Sequence, residues 1–151
     1  MKYEFRTTQT SERNLMAVHA VAKGDLPQQI ERGLDQVWAY LKEQGAKGDH
    51  NVVVYRSFDH ATGVMTIDAG VQVEQPLPGN GTVVPVTTPG GLVATTVHLG
   101  PYQKLGDASS ALHQFCSEHD HPIAGPTWED YDHWTNDPTQ LRTDVFVVIA
   151  H

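Results

Sequence analysis

Apolar and polar positions change their period several times along the chain, and each change marks an element. Residues 15–22 form a short, mostly apolar run broken by His19; its length and its two valines favour a strand. Asp25 then reads as an N-cap, with Pro27 in the first turn and Gln28 as its capping-box partner. Ile30, Leu34, Val37, Trp38 and Leu41 recur at spacings of three and four, which predicts a helix with one apolar stripe, stopped by Gly45. Residues 51–56 and 64–73 predict two strands of a hairpin, joined by a turn over 59–63. The stretch 75–91 is dense in proline and glycine. It reads either as a linker or as turns around a short edge strand at 82–86. Residues 92–98 predict another strand. Gly100 and Pro101 open a second helix with the stripe Leu105, Ala108, Leu112, Phe115 and Cys116, ending near His119. Strands over 126–131 and 143–150 follow.

The order strand–helix–strand–strand thus occurs twice. Tyr55 and Tyr131 differ by 131 − 55 = 76, as do Gly24 and Gly100, and Asp68 and Asp144. In the helices the best register is 75, pairing Ile30 with Leu105, Val37 with Leu112 and Leu41 with Cys116. These matches predict an α+β fold: a tandem pseudo-twofold repeat of two strand–helix–strand–strand modules forming a curved antiparallel sheet with two main helices. The expected single domain has module one at about 13–75, a connecting hairpin at about 76–91 and module two at about 92–151. Each module alone has too little core, so the two are expected to pack around a pseudo-twofold axis and leave a cleft for a ligand.

Composition narrows the partners. The 151 residues fit one domain, and 39% hydrophobic with 19% charged residues fits an ordered chain. Ten basic against eighteen acidic side chains give a net charge of −8. Residues 1–56 carry 8 − 7 = +1 and residues 57–151 carry 2 − 11 = −9. Such a surface repels phosphate, so neither direct nucleic-acid binding nor an anionic membrane is expected. Met1 to Thr10 has no apolar signal-like core and no run suits a membrane span, which predicts a cytoplasmic protein. The single cysteine, Cys116, rules out an internal disulfide and a multi-cysteine zinc site; its stripe position predicts a buried, inert thiol. Nine histidines include His119 and His121, but no His-Glu-x-x-His, phosphate-binding loop or Gly-x-Ser-x-Gly elbow occurs. Neither a metal nor a cofactor is expected.

Candidate chemistry gathers at 125–131, Gly-Pro-Thr-Trp-Glu-Asp-Tyr. Alternation puts Glu129 and Tyr131 on one strand face and Trp128 and Asp130 on the other. Glu129 reads either as a solvated surface carboxylate or as a partly buried one in an aromatic cavity. The second arrangement costs several kcal/mol in desolvation unless a cation pairs with it, and so selects organic cations. Aromatic faces add about 0.5–2 kcal/mol each by cation–π attraction. Tyr102 reads either as a first-turn packing residue or as a pocket wall. Trp38 reads as core by its stripe, with a ligand platform as the alternative, and Tyr55 is a candidate through its match to Tyr131.

The runs Gly-Pro-Tyr-Gln-Lys-Leu-Gly at 100–106, Gly-Pro-Thr-Trp-Glu-Asp-Tyr at 125–131 and Leu-Arg-Thr-Asp-Val-Phe-Val-Val at 141–148 resemble the GyrI-like small-molecule-binding family. That family includes gyrase-inhibitory proteins and the effector-binding domains of multidrug-responsive transcription activators. The resemblance implies a tandem strand–helix–strand–strand repeat over nearly the whole chain. It implies that Glu129 is the pocket glutamate that pairs with cationic lipophilic drugs, with Tyr102 and Trp128 as motif aromatics. The expected function is a stand-alone binding protein for lipophilic, cationic or aromatic compounds, rather than an enzyme. One alternative is a hydrolase of electrophilic, cyclopropane-bearing genotoxins using the same pocket. Another is an acidic inhibitor of a DNA-binding enzyme. A protein partner or a homodimer remains open.

Overall fold

The computed structural model describes residues 3–132 and 136–150. Its elements are β1 (Phe5–Thr10), β2 (Asn14–Ala22), α1 (Leu26–Gln44), β3 (Asn51–Asp59), β4 (Val64–Gln72), β5 (Val83–Thr87), β6 (Gly91–Leu99), α2 (Leu105–Glu118), β7 (Ile123–Tyr131) and β8 (Arg142–Ile149). Short 3-10 turns at Tyr102–Lys104 and Pro138–Gln140 precede α2 and β8. The class is α+β, and the pairings β1–β6, β2–β4, β2–β5, β3–β4, β6–β8 and β7–β8 are all antiparallel. No helix among the described residues is long and apolar enough to cross a membrane.

The chain divides into two compact units. One is Glu12–Thr88, with strand order β3-β4-β2-β5. Its core packs Val37, Tyr40 and Leu41 of α1 against Met16, Val18, Val71, Val73 and Val83. The other joins Met1–Ser11 to Pro89–His151, with strand order β1-β6-β8-β7. There Leu105, Ala108, Leu112 and Cys116 of α2 cover Ala94, Val145, Val147 and Ile149. Cys116 is buried, as its stripe position predicts.

Local signals set most helix and turn boundaries. Pro27 sits in the first turn of α1, and Gly45 ends the helix at φ +65, where its left-handed backbone turns the Ala46 N–H back to Leu41 O at 2.9 Å. Asp25 occupies the N-cap position without capping. Its carboxylate takes the Lys23 N–H at 2.9 Å and the side-chain amide of Gln29, not Gln28, at 2.9 Å. Trp38 departs from its stripe. It is 40% exposed, and its indole N–H donates to Asn51 Oδ1 at 2.8 Å. The core position beside it belongs to Tyr40, whose hydroxyl accepts the Gly79 N–H at 2.9 Å.

The stretch between the modules holds the edge strand β5, with Pro85 opposite Met16 on an outer strand that needs no second row of donors. β1 was not expected, because Arg6 to Thr10 carries no apolar alternation. It pairs with β6 from Phe5↔Thr96 to Thr10↔Gly91, and Phe5 stacks on Phe115 at 4.8 Å.

The repeat extends to single pairings. Val53↔Ala69, Val54↔Asp68 and Tyr55↔Ile67 recur 76 residues on as Glu129↔Val145, Asp130↔Asp144 and Tyr131↔Thr143. Ahead of the helices the offset is 78, not 76. Val83↔Val18 of β5 and β2 corresponds to Phe5↔Thr96 of β1 and β6, with 83 − 5 = 96 − 18 = 78. Each edge strand therefore belongs by sequence to one repeat and pairs with the other.

Candidate functional site

β7 and β8 place the charged residue of the site. Glu129 lies opposite Val145 and Tyr131 opposite Thr143. Burial alternates along β8, and its Val145, Val147 and Ile149 meet α2. Directly opposed residues share a face, so Glu129, Tyr131 and Thr143 lie on the α2 side. Trp128 and Asp130 point to the other side, where Trp128 is 4% exposed and stacks on Phe146 at 4.9 Å. The alternation in the sequence gives the same division.

Glu129 is 5% exposed. The Tyr131 hydroxyl donates to its Oε1 at 2.6 Å, a charge-assisted bond that offsets part of the cost of taking the carboxylate out of water. The Tyr102 ring meets the Tyr131 ring edge to face at 5.4 Å. Tyr102 remains 37% exposed, so it stands at the boundary between this aromatic pair and solvent. Its hydroxyl is raised above the ordinary tyrosine pKa by burial and then by the charge of Asp132. Its neutral phenol therefore persists throughout the physiological range.

The loop that carries Tyr102 is held from beneath. Gly100, at φ +126, donates its N–H to Leu141 O at 2.8 Å. His98 is fully buried, with Nε2 3.1 Å from Pro101 O. A carbonyl only accepts, so Nε2 carries the proton and Nδ1 accepts from the Tyr3 hydroxyl at 3.0 Å. β6, β8 and β7 thus present the row His98, Thr143, Tyr131 on the α2 side. Thr143 Oγ1 is buried and has no hydrogen-bond partner among the described residues. Further along β7, His113 of α2 places Nε2 3.0 Å from Thr127 Oγ1, and burial lowers its pKa.

The structure brings Glu129, Tyr131 and Tyr102 together. Tyr55 and Trp38 lie in the other unit, Tyr55 half-buried opposite Ile67. The position there that matches Glu129 is Val53, fully buried, so only one repeat carries the charge. His98, Tyr3, Thr143 and His113 were not singled out in the sequence. Only the Thr143 position had a legible signal, because alternation from Asp144 puts it on the face of Val145. No group of three or more possible metal ligands occurs among the described residues.

Solved structures share this fold at low sequence identity. The C-terminal domain of EcmrR superposes with a TM-score of 0.83 at 16% identity, over 99% of both chains. EcmrR in its complex with DNA gives 0.84 at 15% identity; 97% of this chain covers 57% of that longer one. SAV2435 bound to tetraphenylphosphonium gives 0.59 at 11% identity, over 97% of this chain and 94% of that one. A hydrolase from Listeria innocua gives 0.64 at 12% identity, over 97% and 92%. No curated protein matches the chain in sequence. The GyrI-like small molecule binding domain model matches residues 1–150, and the chain belongs to that family.

Proposed function

We propose that the chain binds lipophilic organic cations on the α2 side of β7, with Glu129 as charge partner and the Tyr131 and Tyr102 rings as aromatic walls. The observation that carries this reading is a carboxylate 5% exposed beside two tyrosines, one of which donates to it. A cation brought against a carboxylate this little exposed gains an attraction that water screens only weakly. The acid excess of the chain adds a long-range attraction for such ligands and disfavours direct contact with nucleic acid. SAV2435, of similar fold, is a protein seen with a lipophilic cation.

Titration with tetraphenylphosphonium tests the assignment. Glu129→Gln keeps the shape and removes the charge, and it should weaken binding by on the order of 2–5 kcal/mol, about 30-fold or more. Equal affinity in mutant and wild type would sink the charge-partner role. Catalysis is the second reading, favoured by a buried carboxylate that the Tyr131 hydroxyl holds in place and by the fold shared with a hydrolase. Repeated turnover of an alkylating probe to its water-added product by wild type but not by Glu129→Gln would assign the site to hydrolysis, whereas consumption of one equivalent would mean only that the protein is alkylated.

A further inference from the structure

Thr143 stands out among the buried threonines of its unit. On the neighbouring strand, Thr95 Oγ1 donates to Val145 O at 2.9 Å and Thr96 Oγ1 donates to Glu4 O at 2.6 Å. Thr143 Oγ1 makes neither kind of bond and is buried without a partner among the described residues. Its neighbours in the row are committed elsewhere. His98 spends Nε2–H on Pro101 O and Nδ1 on the Tyr3 hydroxyl, and the Tyr131 hydroxyl proton goes to Glu129. An apolar isostere would satisfy packing here equally well, because a buried hydroxyl with no partner is a cost. The hydroxyl lies on the same face as Glu129 and diagonally across the strand pair from it, with Cβ atoms about 7 Å apart.

We infer that the Thr143 hydroxyl is a second ligand anchor, so that the site takes organic cations that also carry a neutral hydrogen-bond acceptor, such as a carbonyl or ether oxygen. This rests on the charge-partner role proposed for Glu129. The division of labour follows from bond strength. Any N–H on the cation is drawn to the carboxylate, where a charge-assisted bond is about twice as strong as a neutral one. The hydroxyl is left to donate to an acceptor. Charge and aromatic area then set affinity, and Thr143 sets which cations are preferred.

A matched pair of probes tests this: benzyltriphenylphosphonium and its 4-acetyl derivative, titrated into wild type, Thr143→Val and Thr143→Ser. Valine keeps the branched shape and serine keeps the hydroxyl. Thr143→Val should weaken binding of the acetyl cation roughly 5-fold and leave the unsubstituted cation unchanged, while Thr143→Ser retains the preference. Without ligand, Thr143→Val should melt at the same temperature as wild type or higher, because it removes an unsatisfied group. Equal effects on the two cations would overturn the anchor. So would a lower melting temperature for unliganded Thr143→Val, which would mean that the hydroxyl is already bonded within the protein. Failure of the Glu129 role reads differently: Glu129→Gln would then bind both cations as wild type does.

Discussion

Two ionisable residues on the α2 side of β7 are held in opposite ways. Glu129 has a tyrosine hydroxyl at 2.6 Å and little water. His113, two strand positions away across Thr127, is pushed below the ordinary histidine value of 6.5 by burial. Its neutral form is favoured in the folded state, so the unfolded chain takes up that proton first as pH falls. The stability tied to neutral His113 is complete above 6.5 and is lost as pH drops below it toward the lower folded value. Melting curves between pH 7 and 5 should therefore fall less steeply for His113→Gln than for wild type. The Glu129–Tyr131 face was legible, because alternation in a strand is a purely local rule. Tyr3 and His98 were not. Their roles depend on which strand lies alongside, and β1 reaches β6 across more than eighty residues of chain.

Helices and hairpins were the most legible scale, for a physical reason. α1 is specified by its own stripe, a proline in the first turn and the left-handed Gly45, all within one segment. The contact between α1 and its sheet is less visible. Gly33 is buried in α1, and a Cβ there would lie 2.9 Å from the Cβ of Ala69. Two effects compete in Gly33→Ala. The helix gains about 1 kcal/mol in propensity. Backbone would have to shift to relieve a clash with another Cβ, which costs about 1–3 kcal/mol. The clash should win, giving a net loss of up to about 2 kcal/mol in denaturant unfolding. An unchanged or raised midpoint would show that α1 slides without penalty. Trp38 makes a related point: its spacing fits the stripe, yet the loop at Gly48 and the side chain of Asn51 hold it at the surface.

At the scale of the molecule, charge and chain path both bear on the site. The unit holding Glu129 carries four basic and nine acidic residues, 4 − 9 = −5, and the other carries 6 − 9 = −3. The site therefore sits in the more acidic unit. Its first strand comes from the far end of the chain. Removing residues 1–11 should strip β6 of an edge partner, part Phe5 from Phe115 and leave His98 without Tyr3. Hydrogen exchange should then quicken along 91–99 while β2 to β4 keep their protection. Uniform protection in the truncated protein would show β1 to be dispensable. The crossed allegiance of β1 and β5 reaches further than stability. Residues 1–75 alone would hold one strand with no sheet to join and one sheet with a bare outer edge, and residues 76–151 would be left in the same condition. Two copies of either half would mend each other by reciprocal donation. Cut anywhere near its middle, this chain yields two adhesive fragments rather than two working parts, so the fold can be inherited, fused or moved between proteins only in one piece.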